Sequence, residues 1–454
     1  MGITVGITVG ITRRRFVAAA ALGPLAAACG GQQGAPTETT APPSKGPVTL
    51  RYAQGWSTLY QDRLEKILAD FMARNPTIKA ESQLMPSNSK LQEYLATALA
   101  AGTPPDVTMQ WRGVMPGLAL KKGLIPLDAY VKRDKLDPGI YYENEYRSSQ
   151  FQGKTYVLPA AATGAWYLIF YNRDHFRDAG LDENKPPTTW DEAARYAGVL
   201  NKVGEGKIQR LGFEPGIKDA SIFNSPFAAW SATNGGKMAS DDGKKLLFDT
   251  PATIAALEWM QAVVKQLGGR DALEDYVSRN KAANDSFTGG LRSMFLTNHS
   301  FPARLKSVAP DVRYGIGLLP RGNEKGATGI VRGGWSNGVP VGVKAENEAW
   351  LLTQYLSATK EGGGWFMQEQ VRPSPIKAVN ESPSYNDLPH WDMIKKALSS
   401  DTLLAQTPVD PEIDVLTAQA VTDVYDGKTA PKDAVAFTQK EAQRRLDEFW
   451  ASAG

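Results

Sequence analysis

The chain has 454 residues, 42% apolar and 22% charged, with 51 Lys and Arg against 48 Asp and Glu. That is enough apolar material for one large core or two mid-sized ones. Three of the basic residues, Arg13, Arg14 and Arg15, sit in an export-type leader, and without them 48 basic face 48 acidic residues. A near-neutral remainder gives no electrostatic basis for a nucleic-acid partner, and one Cys excludes a disulfide framework or a thiolate metal cluster.

Thr12–Val17 (TRRRFV) is followed by the uncharged run Ala18–Ala28. This reads as a basic segment and an apolar segment too short to span a membrane as a mature helix. The arginines ahead of Phe16 resemble a Tat-type export signal. Leu25-Ala26-Ala27-Ala28-Cys29 resembles a lipobox, although Leu25 stands one residue further from the Cys than is usual. The expectation is a signal peptide over 1–28 and a lipid on Cys29 that holds the mature chain at the cell membrane. Residues 29–47, rich in Gly, Pro, Thr and Gln, read as a flexible tether.

Val48–Ala53 alternates as a strand that Gln54-Gly55-Trp56 leaves. Leu64, Ile67, Leu68, Phe71 and Met72 fall on one helical face that ends at Asn75-Pro76. Ile78–Leu84 is a second strand; Leu91, Tyr94, Leu95, Ala98 and Leu99 mark a second helix; Asp106–Met109 is a third strand. Strands alternating with helices imply parallel pairing and ligand sites beyond the carboxyl ends of strands. Trp56, Gln110, Trp111 and Arg112 become ligand-binding candidates on that ground. Tyr141-Tyr142, after Pro138-Gly139, reads as a solvated turn.

Tyr156–Leu158 and Trp166–Tyr171 read as strands joined by the small residues Ala160–Ala165, a link suited to a chain passing from one half to another, with Trp166 at the crossing. A turn at Asn172-Arg173-Asp174 opens a short helix that Gly180 stops. Pro186-Pro187 then holds the chain extended, and Thr189 with Glu192 fits a capping box. Asp249-Thr250-Pro251 starts a helix over Ala252–Leu267. Phe287–Met294 leads to a strand and the loop Thr297–Ser300, which carries Asn298. Tyr314–Leu319 reads as a second crossing strand. In Gly333-Gly334-Trp335-Ser336-Asn337-Gly338 the glycines permit close backbone approach, so Trp335, with Asn337, is the foremost site candidate. Closing helices are expected near Trp391–Leu398, Ile413–Tyr425 and Pro431–Trp450.

Phe151–Pro159, YLIFYNRDHFRDAGLD and PPTTWDE, in that order, resemble the lobe crossover of the extracellular solute-binding proteins of carbohydrate ABC importers. AGTPPDV, GLIPLD and the Phe287–Met294 segment carry the resemblance across about 48–450. It implies an α/β fold of two lobes, periplasmic-binding-protein-like (type II), each a mostly parallel sheet flanked by helices. Residues 48–160 with 308–342 would form one lobe, and 161–307 with 343–454 the other. It further implies Asn224 and Trp230 facing the ligand, no cofactor, a monomer, and as partners two permease subunits and their ATPase. The cargo would be a sugar, whose C–H faces suit indole rings and whose hydroxyls suit amides and guanidinium groups; a receptor for a non-sugar solute is the alternative.

The competing class is a secreted glycosidase, which needs two carboxylates flanking one bond; no pair stands out by context. His175, His299 and His390 form no metal-binding array and read as surface or capping residues. A purely structural surface lipoprotein would leave the aromatic residues on loops without a role.

Overall fold

The computed structural model describes residues 40–216, 226–280, 283–331, 333–399 and 402–453. Among them, two main sheets are built from β1 (Val48–Gln54), β2 (Ile78–Leu84), β3 (Val107–Trp111), β4 (Leu158–Pro159), β5 (Leu168–Asn172), β6 (Met294–Thr297), β7 (Tyr314–Gly317) and β8 (Trp335–Gly338).

The first sheet has the order β2-β1-β3-β8-β4. β1 pairs in parallel with β2 and β3, and the helix Gln61–Arg74 makes the first crossover. Its buried face is Leu64, Ile67, Leu68 and Phe71, the spacing that places side chains on one stripe. The next helix, Asn88–Ala100, starts where the Ser87 hydroxyl accepts from the Lys90 amide. β8 runs antiparallel to both β3 and β4.

The second sheet, β6-β5-β7, is antiparallel throughout. Among the described strands of these two sheets, parallel pairing is therefore confined to β2-β1-β3, where helical crossovers return the chain to the same end; β6, β7 and β8 arrive from the opposite end. The faces of β5 divide by strand alternation. Ile169 and Tyr171 enter the core shared with the helices Trp190–Leu200, Pro226–Thr233 and Pro251–Gln266. Leu168 and Phe170 enter a separate core with Phe287, Phe295, Phe301 and the helix Trp391–Leu398.

Two segments expected in one half lie in the other. β7 was expected with the first sheet, yet Ile316 registers against Phe170 of β5. The helix Glu346–Ala358 was expected with the second half, yet it buries Ala349, Trp350, Leu352, Tyr355 and Leu356 against the first sheet. Trp350 also stacks on Tyr130, with ring centroids 5.6 Å apart. Apolar complementarity decides both cases, so the boundaries expected at 308 and 343 do not separate the two cores. Tyr141 and Tyr142 are likewise buried, not solvated. The Tyr141 ring stacks on Tyr146 and its hydroxyl donates to the Ser357 carbonyl at 3.2 Å.

Candidate functional site

The antiparallel register of β3 and β8 sets Trp111, the last residue of β3, opposite Trp335, the first of β8. Their rings meet edge to face, 5.5 Å between centroids at 73°. Trp166 reaches the same point from the other sheet, two residues before β5, with its ring 6.2 Å from Trp111 at 62°. His299, in the turn after β6, lies 6.0 Å from the Trp166 ring at 72°. All three tryptophans are partly exposed, whereas Trp56, Trp230 and Trp350 are buried. Three sequence-predicted residues from three strand ends thus converge where the two sheets meet.

The cluster rests on a buried ion pair. Arg112 and Glu145 are both fully buried and joined through Nη2 and Oε2. Arg112 also donates to the carbonyls of Gly333 (2.7 Å) and Trp335 (3.1 Å) and to the Ser336 hydroxyl (3.1 Å). Glu145 accepts from the backbone amides of Thr163 and Gly164, the latter at 2.8 Å. One guanidinium–carboxylate pair therefore ties β3, β8, the helix Glu143–Arg147 and the Ala160–Ala165 link together. Burial pushes the Glu145 carboxyl up and the Arg112 guanidinium down, each toward its neutral form, and their mutual attraction with the surrounding donors and acceptors opposes this. The glycines before Trp335 are required here. A Cβ on Gly334, whose φ is +134°, would stand 2.1 Å from the Arg112 Nη2; one on Gly333 would meet the Trp111 ring at 3.0 Å.

The remaining expected site residues turn away from this cluster. Trp56 is buried edge-on to Phe366, 5.2 Å between centroids, in the core of the first sheet. Trp230 is fully buried against Phe213 and Trp259, its Nε1 donating to the Pro215 carbonyl at 2.5 Å. Asn337 is fully buried, accepting from the Tyr52 hydroxyl at 2.8 Å and donating to the Ser357 hydroxyl at 3.0 Å. Gln110 is buried and donates to the Thr108 hydroxyl at 2.9 Å. Asn298 accepts from the amide and hydroxyl of Ser300 and so shapes its own turn. Trp56, Gln110, Arg112, Trp230 and Asn337 are accordingly reassigned to packing and internal hydrogen bonding. At a strand end, successive side chains point to opposite faces, and position alone does not say which one faces outward. Asn224 and Cys29 lie outside the described residues.

Two polar neighbours were not singled out as ligand-binding residues from the sequence. Arg372 is partly buried, its guanidinium 5.7 Å from the centre of the Tyr60 ring, and desolvation draws its pKa down. His299, expected at the surface or a cap, is instead 4% exposed. The Ala162 carbonyl can only accept, so His299 Nε2 carries the proton and donates to it at 3.2 Å, leaving Nδ1 a buried acceptor with no partner among the described residues. Desolvation, with the Arg372 charge adding to it, pushes the His299 pKa down to about 3. The available signal was Arg372-Pro373-Ser374-Pro375: prolines hold a loop extended and present the residue before them. A separate cavity of ≈ 630 Å³, lined by Tyr142, Glu143, Lys377, Glu381 and Lys395 among others, includes none of the three tryptophans.

No described helix is long and apolar enough to cross a membrane. A binding protein of Brucella abortus (strain 2308) is 27% identical over 389 residues, covering 82% of this chain and 88% of that one. The sn-glycerol-3-phosphate-binding periplasmic protein UgpB of Salmonella typhimurium is 25% identical over 300 residues, covering 62% and 65%. Among solved structures, the sugar-binding protein MalE of Xanthomonas citri superposes with a TM-score of 0.74 at 22% identity, covering 88% of this chain and 98% of that one. The cyclic alpha-maltosyl-1,6-maltose binding protein of Arthrobacter globiformis gives 0.74 at 18% identity, covering 89% and 100%. These likenesses fix the fold as that of the type II periplasmic binding proteins, with sheets of mixed strand orientation. The family profile described as bacterial extracellular solute-binding protein matches residues 56–362, and with the two-sheet fold around the tryptophan junction it establishes that the chain belongs to that family of receptors.

Proposed function

We propose that this chain is the receptor of an ABC importer, that it captures a sugar or oligosaccharide at the tryptophan junction, and that it hands the sugar unchanged to the membrane permease. The observation that carries this reading is the convergence of the partly exposed Trp111, Trp335 and Trp166 from both sheets. Sugars offer C–H faces that stack on such rings. The two sheet units act as lobes, and the ligand favours the closed arrangement only through its greater affinity for it. Sugar-binding proteins recur among the structures of like fold, one of them with mannotriose bound.

Intrinsic fluorescence and melting of the purified protein across a panel of mono- and oligosaccharides test the assignment. A cognate sugar at a hundredfold excess over its dissociation constant stabilises the fold by about 2.7 kcal/mol. Trp335→Ala is expected to weaken that binding about thirtyfold, the effect of losing an aromatic anchor of about 2 kcal/mol. An undiminished response in Trp335→Ala would place the sugar elsewhere. Release of cleaved product from a glycoside by the pure protein would instead favour the secreted hydrolase.

The same proposal places the chain outside the cytoplasm as a monomer without cofactor, partnered by two permease subunits and their ATPase. Residues 1–28 serve as a Tat-type leader, 29–47 as a tether, and a lipid on Cys29 as the membrane anchor. Cys29→Ala is expected to appear in the culture medium; retention of that variant in the membrane fraction would end the anchoring proposal.

A further inference from the structure

Buried or half-buried charges are ordinarily paired within the protein. Arg313 follows the rule, paired with Asp174 and Glu183. Arg372 does not: among the described residues its only close side-chain partner is Tyr60, and no carboxylate neutralises it. A second polar group at the same place is also incomplete. His299, buried beside the Trp166 ring and subject to the Arg372 charge, has its Nε2 proton committed to Ala162 and its Nδ1 lone pair facing no donor among the described residues. Beside the three indole rings thus stands an unused acceptor, within the influence of a cation that no described carboxylate neutralises.

We propose that the sugar bound here carries an acidic group, a carboxylate or a phosphate, that seats against Arg372 while a neighbouring hydroxyl donates to Nδ1 of His299. The inference rests on the carbohydrate reading given above. A guanidinium recognises either anion through paired charge-assisted hydrogen bonds. The acidic group supplies the counter-charge that the protein withholds, and the rings bind the neutral remainder of the sugar.

Calorimetric titration of the full mature chain would compare three probes: a neutral disaccharide, the matching disaccharide ending in a hexuronate, and a sugar phosphate. The expected result is that one acidic probe binds at least about tenfold tighter than the neutral one, the range of a hydrogen bond to a charged group. Whether the uronate or the phosphate is the tighter identifies the source of the charge. Arg372→Gln, checked for an unchanged melting temperature, should erase that preference and leave neutral-sugar binding within about twofold. Should the variant not fold, salt provides the second measurement, since added NaCl should weaken the acidic probe alone. Equal affinity of wild type for neutral and acidic probes, or loss of both in Arg372→Gln, overturns the inference while the carbohydrate reading stands. Failure of every probe, neutral or acidic, overturns both.

Discussion

Glu145→Gln is expected to lower the free energy of unfolding by about 3–5 kcal/mol, the cost of leaving one member of a buried ion pair without its counter-charge. The substitution keeps the shape and one acceptor oxygen but removes the negative charge from beside Arg112. The other acceptors around that guanidinium are the carbonyls of Ala161, Gly333 and Trp335 and the hydroxyls of Thr163 and Ser336. All of these are neutral, and none cancels a full charge in a site with no exposure to water. The amides of Thr163 and Gly164 would also lose their carboxylate acceptor, so the link that delivers Trp166 should loosen along with the fold. Urea unfolding of wild type and variant measures the first effect, and sugar affinity the second. The double variant Arg112→Met, Glu145→Leu should recover much of the lost stability, because two apolar side chains leave no buried charge unpaired. A loss below about 1 kcal/mol in Glu145→Gln would mean that the pair is not desolvated as the geometry indicates.

The regular elements were legible because local sequence determines them. β2 spans the whole of the run Ile78–Leu84 read as a second strand, and a helix over Trp391–Leu398 stands where a closing helix was expected. Sheet membership was less legible, since Ile316 against Phe170 and Trp350 against Tyr130 are contacts between residues far apart in the chain. The site divides in the same way. Trp335 was singled out from the glycines preceding it, a local signal with a physical cause. Arg112 stood at the expected strand end, but its role depends on Glu145, 33 residues further along the chain, and no spacing announces an ion pair of that separation. Trp230 lies on an eight-residue helix in which every side chain is buried, so apolar periodicity there gave no direction for the indole. Arg372 belonged to a loop whose prolines were visible and whose missing counter-charge was not, because the lack of a partner is a property of the assembled fold.

Acid should destabilise this protein through His299, and the direction follows from the shift itself. The ordinary value is 6.5 and the folded value is pushed down to about 3. Between those limits the unfolded chain binds a proton that the folded chain refuses. The stability associated with neutral burial is therefore complete above about pH 6.5 and declines by about 1.4 kcal/mol per unit as the pH falls toward the folded value. At pH 4.5 the loss from this one group is about 2.7 kcal/mol. His299→Gln keeps an N–H that can donate to the Ala162 carbonyl and has no proton to gain. Its stability deficit relative to wild type at neutral pH should shrink by about that amount when both are unfolded at pH 4.5. His175, whose pKa burial pushes down to about 4, titrates in the same sense in both proteins and cancels from the comparison. Parallel pH profiles would mean that His299 accepts its proton in the folded state. A second cation would then stand beside Arg372 at a place with no carboxylate among the described residues to offset either one, the arrangement that makes the neutral imidazole the stable form.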